Sequence, residues 1–143
     1  MEPRNHSDAG FDRWFLAATN AWANFNVRAG FEVTAAEDGE AEIRMKWNDG
    51  FTQYSGHLHA GMIAALLDTA CGFAVATRVG PVTASHFSMN CLRPAIGRAL
   101  VARGSMVRAG RRQVFARAEL FAEDEHGVMS LVATGETLLV PIG

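Results

Sequence analysis

The sequence predicts an α+β fold in which an antiparallel sheet wraps around one long central helix. Three observations lead there. Residues 60–77 form an apolar run that carries one charge, Asp68, and Gly80-Pro81 closes it. Two segments before that run show strand patterning, and every segment after it reads as strand. A helix that is apolar on nearly all faces must also be covered on nearly all sides, and a curved sheet does this.

Taken in order, Phe11, Phe15, Ala18, Trp22 and Phe25 recur at helical spacing. This predicts a helix over residues 12–25, with Asp12 near its start and Gly30 breaking the pattern. Phe31 to Ala35 and Ala41 to Trp47 read as two strands around the turn Glu37-Asp38-Gly39-Glu40. In the second strand Ala41, Ile43, Met45 and Trp47 alternate with Glu42, Arg44 and Lys46, giving one buried face and one wet face. Residues 48–58 are a polar, glycine-bearing loop, and the long helix runs from about Ala60 to Arg78. Val82 to Leu92 is the next strand. Arg98 to Val107 and Arg112 to Phe121 form a hairpin around Arg108-Ala109-Gly110-Arg111, and Val128 to Val140 follows a second turn. Residues 1–29 are thus an N-terminal helical extension, and residues 30–143 form the main domain.

Composition narrows the function classes. A chain of 143 residues with 49% hydrophobic content fits one domain with a real core. The net charge of −2 argues against a nucleic-acid partner recruited by bulk charge. Twelve of the thirteen basic residues are Arg, with Lys46 the exception; composition bias accounts for this, and an anionic ligand is compatible with it. Cys71 and Cys91 lie in apolar segments with neither CxxC nor metal-ligand spacing, so both are expected as buried, reduced thiols. The polar N-terminus lacks a signal-peptide apolar region. Asp68 and two glycines interrupt the apolar helix, which favours a buried core helix over a membrane span. The expectation is a soluble, cytoplasmic protein.

Asp68 is the chemical anomaly. A carboxylate is costly to bury on an apolar helix, so one found there usually has a task. Its helical neighbours Ala64, Ala65, Cys71 and Gly72 are small and leave room beside it. The helix start at Ala60 and Gly61 offers unpaired N–H groups and the positive end of the helix dipole. The alternative for Asp68 is a purely structural carboxylate bonded to Thr69 or Thr83.

The motif His59-Ala60-Gly61, with Asp68 nine residues after the histidine, resembles a signature of the hotdog fold. Within that fold it is similar to the phenylacetic-acid-degradation (PaaI-like) acyl-CoA thioesterases. Ser85-His86-Phe87-Ser88-Met89-Asn90-Cys91-Leu92-Arg93-Pro94 resembles the family's strand ending in Arg-Pro, and Gly110-Arg111 is a weaker match. The likeness spans residues 30–140. It implies hydrolysis of acyl-CoA to free acid and CoA, with no cofactor beyond the CoA of the substrate. It also implies a homodimer, often paired into tetramers. Asp68 would be base or nucleophile, and the Ala60 amide, with Gly61, would hold the oxyanion. Ala60 departs from the family's first glycine but keeps the N–H. Gln53, six residues before the motif histidine, stands where the family places Asn or Gln and would orient the carbonyl or the attacking water. His59 is expected to brace the loop, and a hydroxyl from Thr83 or Ser85 would assist the carboxylate, strand alternation putting both on one face.

Helix geometry sharpens the expectation. Asp68 lies eight residues beyond Ala60, about 12 Å along the helix axis. A thioester carbonyl needs its oxyanion donor within about 3 Å and its attacking group close by. One helix cannot supply both, but two antiparallel helices about a two-fold axis can. Arg103, Arg108, Arg111, Arg112 and Arg117 are expected either to grip the CoA phosphates, Arg111 and Arg112 foremost, or to form a solvated hairpin face. Tyr54, Phe51, Trp14, Trp22 and Phe25 are expected to line or cover the acyl pocket. His57, His59, Asp68 and His86 suggest a metal site only weakly: His57 and His59 are two apart, where helical ligand pairs sit at four, although in an extended segment they would point the same way, and no metal is expected. The competing functions are a non-catalytic acyl-CoA binder, which would not need Asp68, and an acyl-thioester dehydratase, which would pair a histidine with an acid at longer spacing.

Overall fold

The computed structural model describes Ala21 and residues 23–142. Helix α1 spans Asn24–Ala29, strand β1 Phe31–Glu37 and β2 Glu40–Lys46, and a 3-10 turn covers Asp49–Phe51. Helix α2 spans Ala60–Val79. Strands β3 (Val82–Cys91), β4 (Ala99–Ala109), β5 (Val114–Glu123) and β6 (Met129–Pro141) follow. The six strands form one sheet in the order β1-β2-β4-β5-β6-β3, and every neighbouring pair is antiparallel. Helix α2 touches all six strands. This is the hotdog arrangement, and the expected main elements are all present.

The N-terminal helix requires a correction. Its described part ends at Ala29, not Phe25, where Gly30 in the left-handed region (φ 74°) caps it. Most of the segment expected as helix, with Asp12, Trp14 and Trp22, lies outside the described residues.

The core explains why α2 tolerates so little polarity. Leu66, Leu67, Ala70, Cys71, Ala74 and Val75 are fully buried, as are Ile43, Leu100, Ala102, Leu120 and Ala133 on the strands. Each buried leucine contributes about 1.5–3 kcal/mol of transfer free energy. The helix sits so close to β4 that a Cβ built on Gly104 would lie 2.4 Å from the Ala70 carbonyl oxygen. By length and composition α2 is apolar enough to cross a membrane, yet half of its apolar window is buried within the domain.

The opposite face of the sheet is charged. Glu42, Arg103 and Glu119 stand side by side on β2, β4 and β5, and Arg103 Nε donates to Glu42 Oε2 at 3.1 Å. Glu123 accepts from Arg44 at 2.6 Å and from Arg98 at 2.8 Å, tying β2 to β5 and to the entry of β4. These two guanidinium partners, Arg44 first, hold the Glu123 carboxyl down to about 2. The Asp38-Gly39 turn is fastened to the end of α2, where Gly39 N–H donates to Thr77 Oγ1 at 2.8 Å.

Coverage of α2 is incomplete. Met62, Ala65, Asp68, Thr69, Gly72 and Phe73 remain half-buried, and Gly61 is exposed. This stripe lies toward β3, an edge strand whose residues are mostly exposed. Cys91, at the end of β3, is therefore exposed, against the expectation of two buried thiols; Cys71 is buried, and burial pushes its thiol up to about 11.

Candidate active site

The mouth of α2 is built by His59. Its backbone is extended (φ −62°, ψ 139°), and its Nδ1 accepts from Gly61 N–H at 2.8 Å, a side-chain N-cap. Its carbonyl accepts from Met62 N–H and Ile63 N–H, and its own N–H donates to Phe51 O at 2.9 Å. Leu58 N–H, one residue earlier, donates to Ala95 O at 3.0 Å. His59 thus braces the loop. The cap also distinguishes the two amides expected as oxyanion donors. Gly61 N–H is taken, which corrects its expected part in the hole, whereas Ala60 N–H has no hydrogen-bond partner among the described residues.

Gln53 stands beside that amide. Gln53, His57, Leu58, Ala60, Ile63 and the segment from Cys91 to Ala95 line a cleft of about 330 Å³. A tight turn presents Gln53: Gly56 N–H donates to Gln53 O and Gln53 N–H to His57 O, both at 2.9 Å. Gly56 has φ 87°, a conformation that a side chain would strain. Tyr54 projects from the tip of this turn fully exposed, so it touches no acyl pocket within its own chain.

Asp68 lies in a second cleft of about 460 Å³, which shares no lining residue with the first. Asn26, Thr69, Gly72, Phe73, Val82 and Thr83 surround it there. Asp68 Oδ1 is buried and has no hydrogen-bond partner among the described residues, Thr69 and Thr83 included. Burial raises the Asp68 carboxyl above its usual 3.8. A buried carboxylate oxygen without a donor is expensive to keep.

Thr83 and Ser85 part company. The β3–β6 register slips between Ala84 and His86, so Ser85 is the bulged residue and its Oγ donates to Leu138 O at 3.2 Å. Thr83 lines the Asp68 cleft and Ser85 does not. The apolar positions record the slip: Val82 packs inward before the bulge, Phe87 and Met89 after it.

The hairpin arginines also divide. Arg103 and Arg117 pair with Glu42 and Glu136 on the outer face. Arg108, Arg111 and Arg112, with Gly110, Gln113 and Phe115, line a separate cleft of about 510 Å³, and none of the three arginines has an ion-pair partner among the described residues. Among the described residues no group of three or more His, Cys, Asp or Glu could hold a metal. Sequence reasoning missed Asn26, a buried polar residue on the short α1 and the one signal that α1 reaches the Asp68 cleft. It also missed the contacts of His57 with its neighbours.

Comparison with known proteins finds the same fold and a family. A solved thioesterase family protein from Silicibacter pomeroyi superposes with a TM-score of 0.83 at 29% identity, covering 90% of this chain and 96% of that one. The PaaI protein of the E. coli phenylacetic acid degradation operon shares the fold, with a TM-score of 0.82, 20% identity and 95% and 97% coverage. A protein of Halobacterium salinarum, provisionally described as an esterase, is 37% identical over 89 residues, which are 57% of this chain and 58% of that protein. The chain therefore spans under two thirds of that curated relative. The sequence pattern of the thioesterase superfamily matches residues 55–129, just over half of the chain and inclusive of the α2 mouth, Asp68 and the hairpin arginines. By that match, the protein belongs to the thioesterase superfamily.

Proposed function

We propose that the protein hydrolyses acyl-CoA thioesters at a site completed by two copies of the chain. The observation that carries this reading is the buried, unpartnered Asp68 Oδ1, set in a cleft apart from the unpartnered Ala60 N–H. Strand β3 offers the means to unite them. Val82 to Ala84, at its start, line the Asp68 cleft, and Cys91, at its end, lines the Ala60 cleft. Antiparallel pairing of the free β3 edge with its own copy lays the start of one strand beside the end of the other. Each Asp68 cleft then meets the Ala60 cleft of the other protomer.

At such a site the Ala60 N–H polarises the thioester carbonyl and holds the oxygen as it becomes anionic. Asp68 takes a proton from water as the water oxygen bonds to the carbonyl carbon, or attacks that carbon itself. The raised pKa of Asp68 makes it a stronger base than an exposed carboxylate. In the water-attack route the oxyanion collapses, the C–S bond breaks, and the proton on Asp68 passes to the departing thiolate to leave free acid and CoA–SH. Arg108, Arg111 and Arg112, clustered in one cleft and without ion-pair partners among the described residues, suit the CoA phosphates.

Complementation tests the crossed site. Ala60→Pro and Asp68→Asn are each expected to abolish thiol release from a panel of acyl-CoAs. Co-refolding equal amounts of the two restores about a quarter of wild-type activity, because half of the dimers are mixed and each holds one intact site. No recovery from verified mixed dimers rejects the crossed arrangement. Tight acyl-CoA binding without turnover by the wild type favours the non-catalytic binder.

A further inference from the structure

His57 makes two contacts that neither the α2 motif nor the Asp68 cleft requires. Its Nδ1 lies 2.8 Å from Ser55 Oγ, and its Nε2 is in contact with Gln53 Nε2. The tight turn from Gln53 to His57 brings the three side chains together. A carboxamide nitrogen only donates, so a hydrogen bond from Gln53 Nε2 to His57 requires a bare Nε2. In that arrangement the ring proton of the neutral imidazole sits on Nδ1 and is donated to Ser55 Oγ. Gln53 is left with its Oε1 free for the cleft that both residues line.

We propose that His57, held by Ser55, is a positioning residue that decides which end of the Gln53 carboxamide faces the Ala60 cleft. This rests on the thioesterase reading of that cleft. With His57 neutral, Oε1 faces inward and accepts a hydrogen from the attacking water. With His57 protonated, both ring nitrogens donate, and the Gln53 amide can no longer donate to Nε2. It turns over about its last side-chain torsion, which has two equivalent broad wells, and presents its NH₂ to the cleft in place of the acceptor. The other titratable or charged groups lining the cleft with His57 are Cys91, at the end of β3, and Arg93 just after it; the lining contains no carboxylate. The Nδ1 of His59 is already committed to Gly61.

The test has two arms. Long-range ¹H–¹⁵N correlation spectra of the labelled full chain report the tautomer of His57, assigned by its disappearance in His57→Phe. The expected result is an Nδ1–H tautomer in the wild type at alkaline pH that reverts to Nε2–H in Gln53→Leu. An Nε2–H tautomer in the wild type, or no change in Gln53→Leu, overturns the proposal whatever the enzyme hydrolyses. In the second arm, with an acyl-CoA that releases thiol, His57→Phe lowers kcat by about tenfold or more with KM little changed. Unchanged kcat in a variant with wild-type melting temperature overturns the proposal. Absence of turnover in the wild type with the expected tautomer rejects the thioesterase reading instead.

Discussion

Replacing Ala60 with proline removes one hydrogen-bond donor from the molecule and little else. Ala60 is the first residue of α2, where an N–H has no helical acceptor in any case and where proline is well tolerated. Proline also restricts the residue before it to extended conformations, and His59 already has one at φ −62°, ψ 139°. The cap from Gly61 N–H to His59 Nδ1 involves neither atom that changes. Ala60→Pro is therefore expected to melt within a few degrees of wild type. Loss of one oxyanion donor costs about 2.7–4 kcal/mol of transition-state stabilisation, so kcat should fall about 10²- to 10³-fold. Ala60→Gly keeps the N–H and should fall only a few-fold at most. The assay is thiol release under saturating acyl-CoA, alongside thermal melting. An Ala60→Pro protein that melts like wild type and keeps its kcat refutes the assignment of this amide.

Two further outcomes follow from burial. Asp68 has a raised pKa, so between its unfolded and folded values the native state holds a proton that the unfolded chain has lost, and stability falls as pH rises through that window. Asp68→Asn should lower kcat about 10²- to 10⁴-fold and yet raise the melting temperature at neutral pH, the gain shrinking as the pH falls through the raised native value and vanishing below about 4, where the unfolded carboxyl is protonated too; a lower melting temperature at neutral pH contradicts the unpartnered state of Oδ1. Gly104→Ala places a methyl 2.4 Å from the Ala70 carbonyl oxygen, so helix or strand must move. Overpacking of this kind costs about 1–3 kcal/mol. Calorimetry should show a clear fall in melting temperature, and an unchanged value means that α2 is held less tightly against β4 than the structure has it.

The scaffold was legible in the sequence because its signals were local. The capping histidine, the apolar run and Gly80-Pro81 bound α2 closely, and the alternation from Ala41 to Trp47 assigned the inner and outer faces of β2. Asp68 stood out because it is the only carboxylate in its helix. What escaped notice depends on register and on long-range packing. The Ser85 bulge flips the facing of β3 for the residues that follow it, a change recorded in the switch from Val82 to Phe87 and Met89. Cys91 is exposed because β3 ends the sheet, and strand order cannot be deduced from strand pattern. Gly61 was credited with a donor that a side chain two residues earlier had already claimed.

The imidazole cap leaves the entrance of α2 with a single vacant amide. A phosphate seated at a helix start ordinarily gathers several backbone amides at once. Here an approaching oxygen finds one, which matches the lone charge that gathers on a carbonyl oxygen during acyl transfer and underserves a polyanion. Selectivity at this entrance is thus monodentate by construction, and the charged portion of any substrate has to find its grip elsewhere on the protein.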